Sequence, residues 1–160
     1  MLPHSISKVG VDMSDSMLAV ARAKNIPNSA YVLANIEDLI INEKFDLVYS
    51  LFHVMSYQTS EYSLGRALTT VRNCLNENGV AIFDFWHRAA WDNDPPVTRM
   101  TTRKNSKVEV KRISTPTIDF LTGLVSIEMD LFVHEYGMAD GTYKYFSEHH
   151  EMRSYTYQEL

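Results

Sequence analysis

Three polar residues stand where apolar runs of strand length end: Asp12 after Val9-Gly10-Val11, Asn35 after Ala30 to Ala34 (AYVLA), and Ser50 near the end of Phe45 to Phe52 (FDLVYSLF). If these runs are parallel strands, their carboxyl ends lie along one edge of a sheet, where open α/β folds bind ligands. A carboxylate at that edge can accept hydrogen bonds from both hydroxyls of a ribose. The adjoining apolar residues, Met13, Ile36 and Leu51, can sandwich a purine. The pattern suits an adenosine-containing cofactor without identifying its second half. The plain alternative is that Asp12 only solvates a strand end.

Other chemistries find no support in the residue order. The six glycines, Gly10, Gly65, Gly79, Gly123, Gly137 and Gly141, form neither GxGxxG nor GxxxxGK[ST], so neither phosphate cradle is expected. HExxH and the GxSxG elbow do not occur. His149 and His150 adjoin in a strand and point to opposite faces, and Cys74 is distant in sequence from any histidine, so no metal site is expected. A net charge of -5, with no Lys/Arg run longer than two residues (as at Arg103-Lys104), gives no footprint for nucleic acid. No apolar run approaches the ~20 residues that span a bilayer, and MLPHSISK lacks the apolar core of a signal peptide. The single Cys74 cannot make an intrachain disulfide, which points to a reducing compartment and a soluble, cytoplasmic protein.

The elements that must position the polar residues follow from periodicity. With 160 residues, 45% of them hydrophobic and 22% charged, the chain has the bulk of one globular domain. Val9 and Val11 form a short buried strand, and Ser14 caps a helix that carries Asp15 in its first turn and Met17, Leu18 and Ala21 on its buried stripe. Asn25, Pro27 and Asn28 break this helix. Strands are predicted over Ala30 to Ala34 and Phe45 to Phe52, and a helix over Ser60 to Leu75, with Leu64, Ala67, Leu68, Val71 and Leu75 at helical spacing. That helix is expected to stop in NENG, with Gly79 left-handed, before a strand from Gly79 to Trp86. Strands alternating with helices in this way predict a mostly parallel sheet.

The period changes after His87. Asp92 to Pro96 (DNDPP) continues neither a helix nor a central strand. Val125, Ile127, Met129, Leu131 and Val133 then alternate with Ser126, Glu128, Asp130 and Phe132, as in a half-buried antiparallel strand. With Lys107 to Ile113 before it and Tyr143 to Tyr155 after it, a three-stranded meander is predicted, turning near Leu121 to Gly123 and at Ala139-Asp140-Gly141. Thr156 to Glu159 has capping-box spacing, so a helix is expected to start there. The expected organisation is one domain overall: a partial Rossmann-like cofactor-binding part over 1–91, the meander over 92–155, and the start of a truncated helix over 156–160.

Three stretches resemble one family. GVDMSDSMLAVAR is similar to the second-strand motif of class I S-adenosylmethionine-dependent methyltransferases, a hydrophobic strand followed by D-x-S-x-x-M-L and a later Ala-Arg. FDLVYSLFHVMSY resembles the family's fourth-strand motif, and LNENGVAIFDFW resembles its fifth-strand segment. They occur in the family's order and together span residues 10–86, about half of the chain. The later half resembles, more loosely, sugar N-methyltransferases that act on nucleotide-linked amino sugars, which insert an antiparallel meander before a segment like HEMRSYTYQEL. The implied fold is α/β, a Rossmann-like class I methyltransferase sheet with an antiparallel β-meander inserted after the fifth family strand. The first strand with its D-x-G-x-G loop has no counterpart, so the sheet is expected to be incomplete and the chain a fragment.

The resemblance also implies roles. Asp12 would bind the ribose hydroxyls of S-adenosylmethionine and Met13 would pack on the adenine. Asn35 stands where the family often has Asp and would meet the adenine with Ile36 beside it, while Ser50 and Leu51 would line the methionine side. His53, Tyr57, Trp86 and His150 fall on the substrate side. Each has a plainer reading: His53 bonded to a loop carbonyl, Tyr57 and Trp86 as core aromatics, and His150 as a structural histidine. The implied activity is methyl transfer to an amine or hydroxyl of a small molecule, with a nucleotide-linked amino sugar as one candidate. His53, Tyr57 or His150 would take or relay the acceptor's proton. Two other readings stay open: an NAD(P)-dependent oxidoreductase, and a non-catalytic module that dimerises through the meander. A homodimer through the meander is also left open for the enzyme.

Overall fold

The computed structural model describes residues 6–160 apart from 93, 138, 140 and 141. The expected turn at Ala139-Asp140-Gly141 therefore lies largely outside the described residues, as does Asn93 of the DNDPP segment. The chain divides into two compact units, residues 1–49 with 60–82 and residues 50–59 with 83–160.

In the first unit, β1 (Lys8–Asp12) pairs in parallel with β2 (Ser29–Leu33), in a register that sets Asp12 opposite Leu33. Helix α1 (Asp15–Ala23) connects them. Its start is local chemistry: the Ser14 hydroxyl accepts the Met17 N–H at 3.3 Å, and Asp15 meets the positive end of the helix dipole. Leu18 is buried as expected, but Met17 is 57% exposed. Adjacent helical positions lie about 100° apart, so the face that buries Leu18 turns Met17 outward. Helix α2 (Glu61–Cys74) buries Leu64, Ala67, Thr70, Val71 and Cys74 along one stripe. Ser60 and Ser63 cap it reciprocally, each side chain accepting the other's backbone N–H.

A second two-stranded sheet pairs β3 (Phe45–Ser50) with β4 (Leu75–Phe83). The exit from α2 differs from the expected left-handed glycine turn. Leu75 leaves the helix with extended geometry (φ -87°, ψ 143°), and Gly79 is not among the residues of positive φ. Gly79 is needed for a different reason: a Cβ there would lie 2.9 Å from the Phe45 carbonyl oxygen and 2.9 Å from the Leu75 side chain.

The second unit is built on an antiparallel sheet of four strands, one more than predicted, in the order β5 (Arg99–Lys104), β6 (Val108–Asp119), β7 (Leu124–Glu135), β8 (Lys144–Arg153). β5 reads RMTTRK and has no apolar alternation to reveal it; the backbone ladder to β6 makes it a strand, and its charge suits a sheet edge. Val125, Ile127 and Met152 form the core with Trp91, and Trp86, Ile118 and Met129 pack around them. At the β6–β7 turn Gly123 has φ +76°, and the Asp119 carboxylate accepts the N–H groups of Leu121 and Thr122 at 2.9 and 3.3 Å. The Thr156 N–H donates to the Glu159 carboxylate at 2.7 Å, one of the two bonds of a capping box. The Thr156 hydroxyl, however, donates to the same carboxylate at 2.9 Å and the Glu159 N–H goes to the Thr156 carbonyl at 3.2 Å, so residues 157–159 form a turn in place of the expected helix start.

Candidate active site

In the first unit, the parallel register brings two of the predicted pairs to one strand end. The Ala34 N–H donates to the Asp12 carbonyl at 3.1 Å, so Asp12-Met13 leaves β1 beside the point where Asn35-Ile36 follows β2. Asp12 is exposed, and its Oδ1 accepts the Ser14 N–H at 2.8 Å. That bond fixes the carboxylate at the entry to α1 and leaves lone pairs for a further donor. Met13 is 71% exposed beside it. The side-chain oxygen of Asn35 accepts the Glu37 N–H at 3.0 Å, which closes the loop after β2.

In the second unit, the segment after β3 does something its sequence did not announce. Phe52 and His53 both take left-handed backbone, at φ 65° and 62°, a conformation costly for residues with a Cβ. This ends the strand at Ser50, two residues before the predicted end. The conformation turns two successive N–H groups toward the Asp84 carboxylate, which accepts His53 at 2.7 Å and Phe52 at 3.0 Å. Burial alone would raise the pKa of Asp84; the two N–H donors outweigh it and hold the carboxyl below its ordinary value. Asp84 thus fixes the backbone of the candidate residue His53, and sequence reasoning missed it. Its signal was a lone carboxylate inside the apolar run AIFDFW.

The turn Val54–Tyr57 that follows is held by further bonds: Ser56 is fully buried and accepts the Trp86 N–H at 3.0 Å, and the Tyr155 hydroxyl donates to the Gln58 carbonyl. The result gathers the substrate-side candidates. His53 and Trp86 have ring centroids 5.8 Å apart, and the Tyr57 hydroxyl lies 3.0 Å from Nδ1 of His150. Trp86 also packs on the Val125–Ile127–Met152 core, as its core-aromatic reading expects. His53 makes no side-chain bond to a loop carbonyl; its Nδ1 and the Ser50 hydroxyl are buried without a hydrogen-bond partner among the described residues. Two orphaned polar atoms where β3 ends suit a ligand that carries its own donors and acceptors. Leu51 is 43% exposed next to them.

Partial burial, with Glu148 nearby, pushes the Tyr57 hydroxyl above its ordinary value, so it is protonated at neutral pH. His149 faces away from His150 and lies between Glu128 (2.5 Å) and Glu151 (3.3 Å), which raise its pKa. Among the described residues, no group of three or more His, Cys, Asp or Glu could hold a metal ion, and no helix is long and apolar enough to cross a membrane.

Comparison with known proteins adds identity to this geometry. Residues 2–79 match the family described as a methyltransferase domain. An S-adenosylmethionine-dependent methyltransferase from Clostridium acetobutylicum is 26% identical, with a TM-score of 0.75 over 96% of this chain and 60% of its own. DesVI of Streptomyces venezuelae (22% identity, TM-score 0.79, 94% and 61% covered) and the sugar N-methyltransferase KedS8 from Streptoalloteichus (20%, 0.79, 94% and 58%) share the fold. A search of curated proteins found no match. Residues 2–79 thus resemble a methyltransferase domain, and the chain has the α/β fold seen in S-adenosylmethionine-dependent methyltransferases, as the three motifs implied. The nicotinamide alternative is set aside. The chain spans about 60% of the length of the structures it matches.

Proposed function

We propose that the chain serves S-adenosylmethionine-dependent methyl transfer to an amine or hydroxyl of a small molecule. The observation that carries this reading is Asp12: a carboxylate fixed by the Ser14 N–H at the end of a parallel strand, inside the stretch that matches the methyltransferase domain. Asp12 takes the ribose hydroxyls, Met13 and Ile36 contact the adenine, and Asn35 meets the base edge with its amide NH2, since its oxygen already accepts the Glu37 N–H. Ser50 and Leu51 take the methionine side, where the Ser50 hydroxyl lacks a partner among the described residues. The bound cofactor supplies an electrophilic methyl group on sulfur.

The chain's own residues then hold the acceptor in line and keep water out, the larger part of such a reaction. An amine acceptor must lose a proton to attack, and Tyr57 with His150, or His53, receives it. The acceptor class in this reading is an amino sugar, supported by the fold shared with KedS8 and with the amino pentose methyltransferase CalS10. Two further parts of the reading are a homodimer through the β5–β8 sheet, which light scattering tests, and a reducing cytoplasmic setting, consistent with the buried free thiol of Cys74. Calorimetric titration with S-adenosylhomocysteine is the primary test. Saturable binding that Asp12→Ala weakens supports the reading, and binding indifferent to Asp12 removes it.

A further inference from the structure

Glu148 and His150 stand two residues apart on β8, on the face that carries Met152 into the core. The imidazole of His150 is held from both sides. Its Nδ1 lies 3.0 Å from the Tyr57 hydroxyl and its Nε2 lies 3.4 Å from Oε2 of Glu148. A neutral imidazole has one N–H and one bare nitrogen, and its partners decide which is which. An ionised carboxylate can only accept, so Glu148 selects the tautomer with hydrogen on Nε2. Nδ1 is then an acceptor, and the Tyr57 hydroxyl must donate to it. With its hydrogen committed, the Tyr57 oxygen offers lone pairs on its open side, and Tyr57 is 44% exposed.

We propose that Glu148 is a positioning residue: by fixing the His150 tautomer it makes Tyr57 and His150 a two-step path for the acceptor's proton, an inference that rests on the methyl-transfer reading above. The proton leaving the acceptor's N–H or O–H goes to the Tyr57 oxygen as the Tyr57 hydrogen passes to Nδ1 of His150. Tyrosine stays neutral throughout, and His150 becomes an imidazolium whose Nε2–H faces Glu148. Nothing is consumed, and the proton returns to solvent from the imidazole. The high pKa of Tyr57 agrees with this, because such a hydroxyl relays a proton and does not store the negative charge. The neighbouring His149 has its own carboxylates on the opposite face of the sheet and takes no part.

The test is nitrogen NMR of the protein labelled at histidine, read together with steady-state kinetics. In the wild type the neutral His150 ring should be the Nε2–H tautomer, with Nδ1 at the shift of an unprotonated nitrogen. Glu148→Ala should turn this into a mixture of tautomers and lower kcat about 10- to 100-fold, with KM for the acceptor unchanged. Glu148→Gln, whose amide oxygen still accepts the Nε2–H, should restore both, and His149→Ala should change neither. An Nδ1–H tautomer in the wild type, a tautomer unmoved by Glu148→Ala, or a kcat equal in all variants overturns the inference. If the wild type shows the stated tautomer yet transfers no methyl group to any acceptor amine or hydroxyl, the functional reading fails while the assignment of Glu148 and His150 stands.

Discussion

The Asp84 carboxylate accepts the backbone N–H of His53 at 2.7 Å, and the same carboxylate takes Phe52 at 3.0 Å, so one side chain holds two successive left-handed residues. Left-handed backbone costs about 1–2 kcal/mol for each residue with a Cβ, and a bond to a charged group contributes about 1.5–3 kcal/mol. The two magnitudes are comparable, so the conformation depends on Asp84. Asp84→Ala should therefore destabilise the protein by about 2 kcal/mol, measured by urea denaturation. Asp84→Asn, which keeps one acceptor oxygen, should lose about half of that.

The same relationship makes an unusual demand on Phe52. Its side chain is 87% exposed and has little packing to lose, while its backbone is strained. Phe52→Gly should raise stability by about 0.5–1 kcal/mol, because glycine adopts positive φ without a steric penalty. It should also loosen the segment that presents His53 and lower kcat for the proposed methyl transfer. Denaturation midpoints and turnover measured on one preparation check both; a variant that is more stable and fully active would remove the functional reason for the strain.

Asp12 separates binding from folding. Its Oδ1 caps the entry to α1 through the Ser14 N–H, so a change there risks both roles. Asp12→Asn keeps an acceptor for Ser14 but presents an amide to a ribose, and Asp12→Ala removes both. Asp12→Ala is expected to weaken S-adenosylhomocysteine about 10- to 100-fold, with Asp12→Asn between it and the wild type. Ser14→Ala, the control, should cost about 1 kcal/mol of stability with a smaller effect on affinity. Calorimetry and thermal unfolding of the three variants read the two roles apart.

Gly79 shows where sequence legibility stopped. Features that depend on residues a few positions apart were readable: the Ser14 cap, α2 with its buried stripe, and the strand ends at Asp12 and near Asn35. Features set by distant partners were not. Phe45 to Phe52 reads as one apolar run, yet the strand stops at Ser50 because Asp84, 31 residues beyond His53, redirects the backbone. β5 is a strand through its ladder to β6 and not through its composition. The meeting of Tyr57 with His150 spans 93 positions, and Glu148 gains meaning only from it. Gly79 itself reads as a left-handed cap, but the structure requires it for the approach of the Phe45 carbonyl. Gly79→Ala is therefore expected to cost about 1–3 kcal/mol. Gly79→Asn, acceptable at a left-handed cap, should cost at least as much, and an Asn variant more stable than the Ala variant would restore the cap reading.

Glu159 gives the clearest dependence on pH. Burial by itself would raise its pKa, but the N–H and hydroxyl of Thr156 together with Arg153 and Arg88 overcome this and bring it from 4.5 to about 2. Arg153 lies at 2.7 Å and Arg88 at 3.1 Å from the same Oε1, and the Glu159 side chain is about a quarter exposed. The folded-state pKa is depressed, so the stabilisation is complete above the unfolded value near 4.5 and is lost as pH falls toward 2. A shift of this size corresponds to about 3 kcal/mol, which solvent screening reduces to about 1–2 kcal/mol for a partly exposed group. Glu159→Gln should therefore be less stable than the wild type by about 1–2 kcal/mol at pH 7. The difference should narrow steadily between pH 5 and pH 2 (roughly the window spanned by the two pKa values). Urea denaturation of both proteins across this range measures it. A gap that stays constant down to pH 2 would mean that Glu159 acts through shape and hydrogen bonding alone, and that the two arginines need no carboxylate charge.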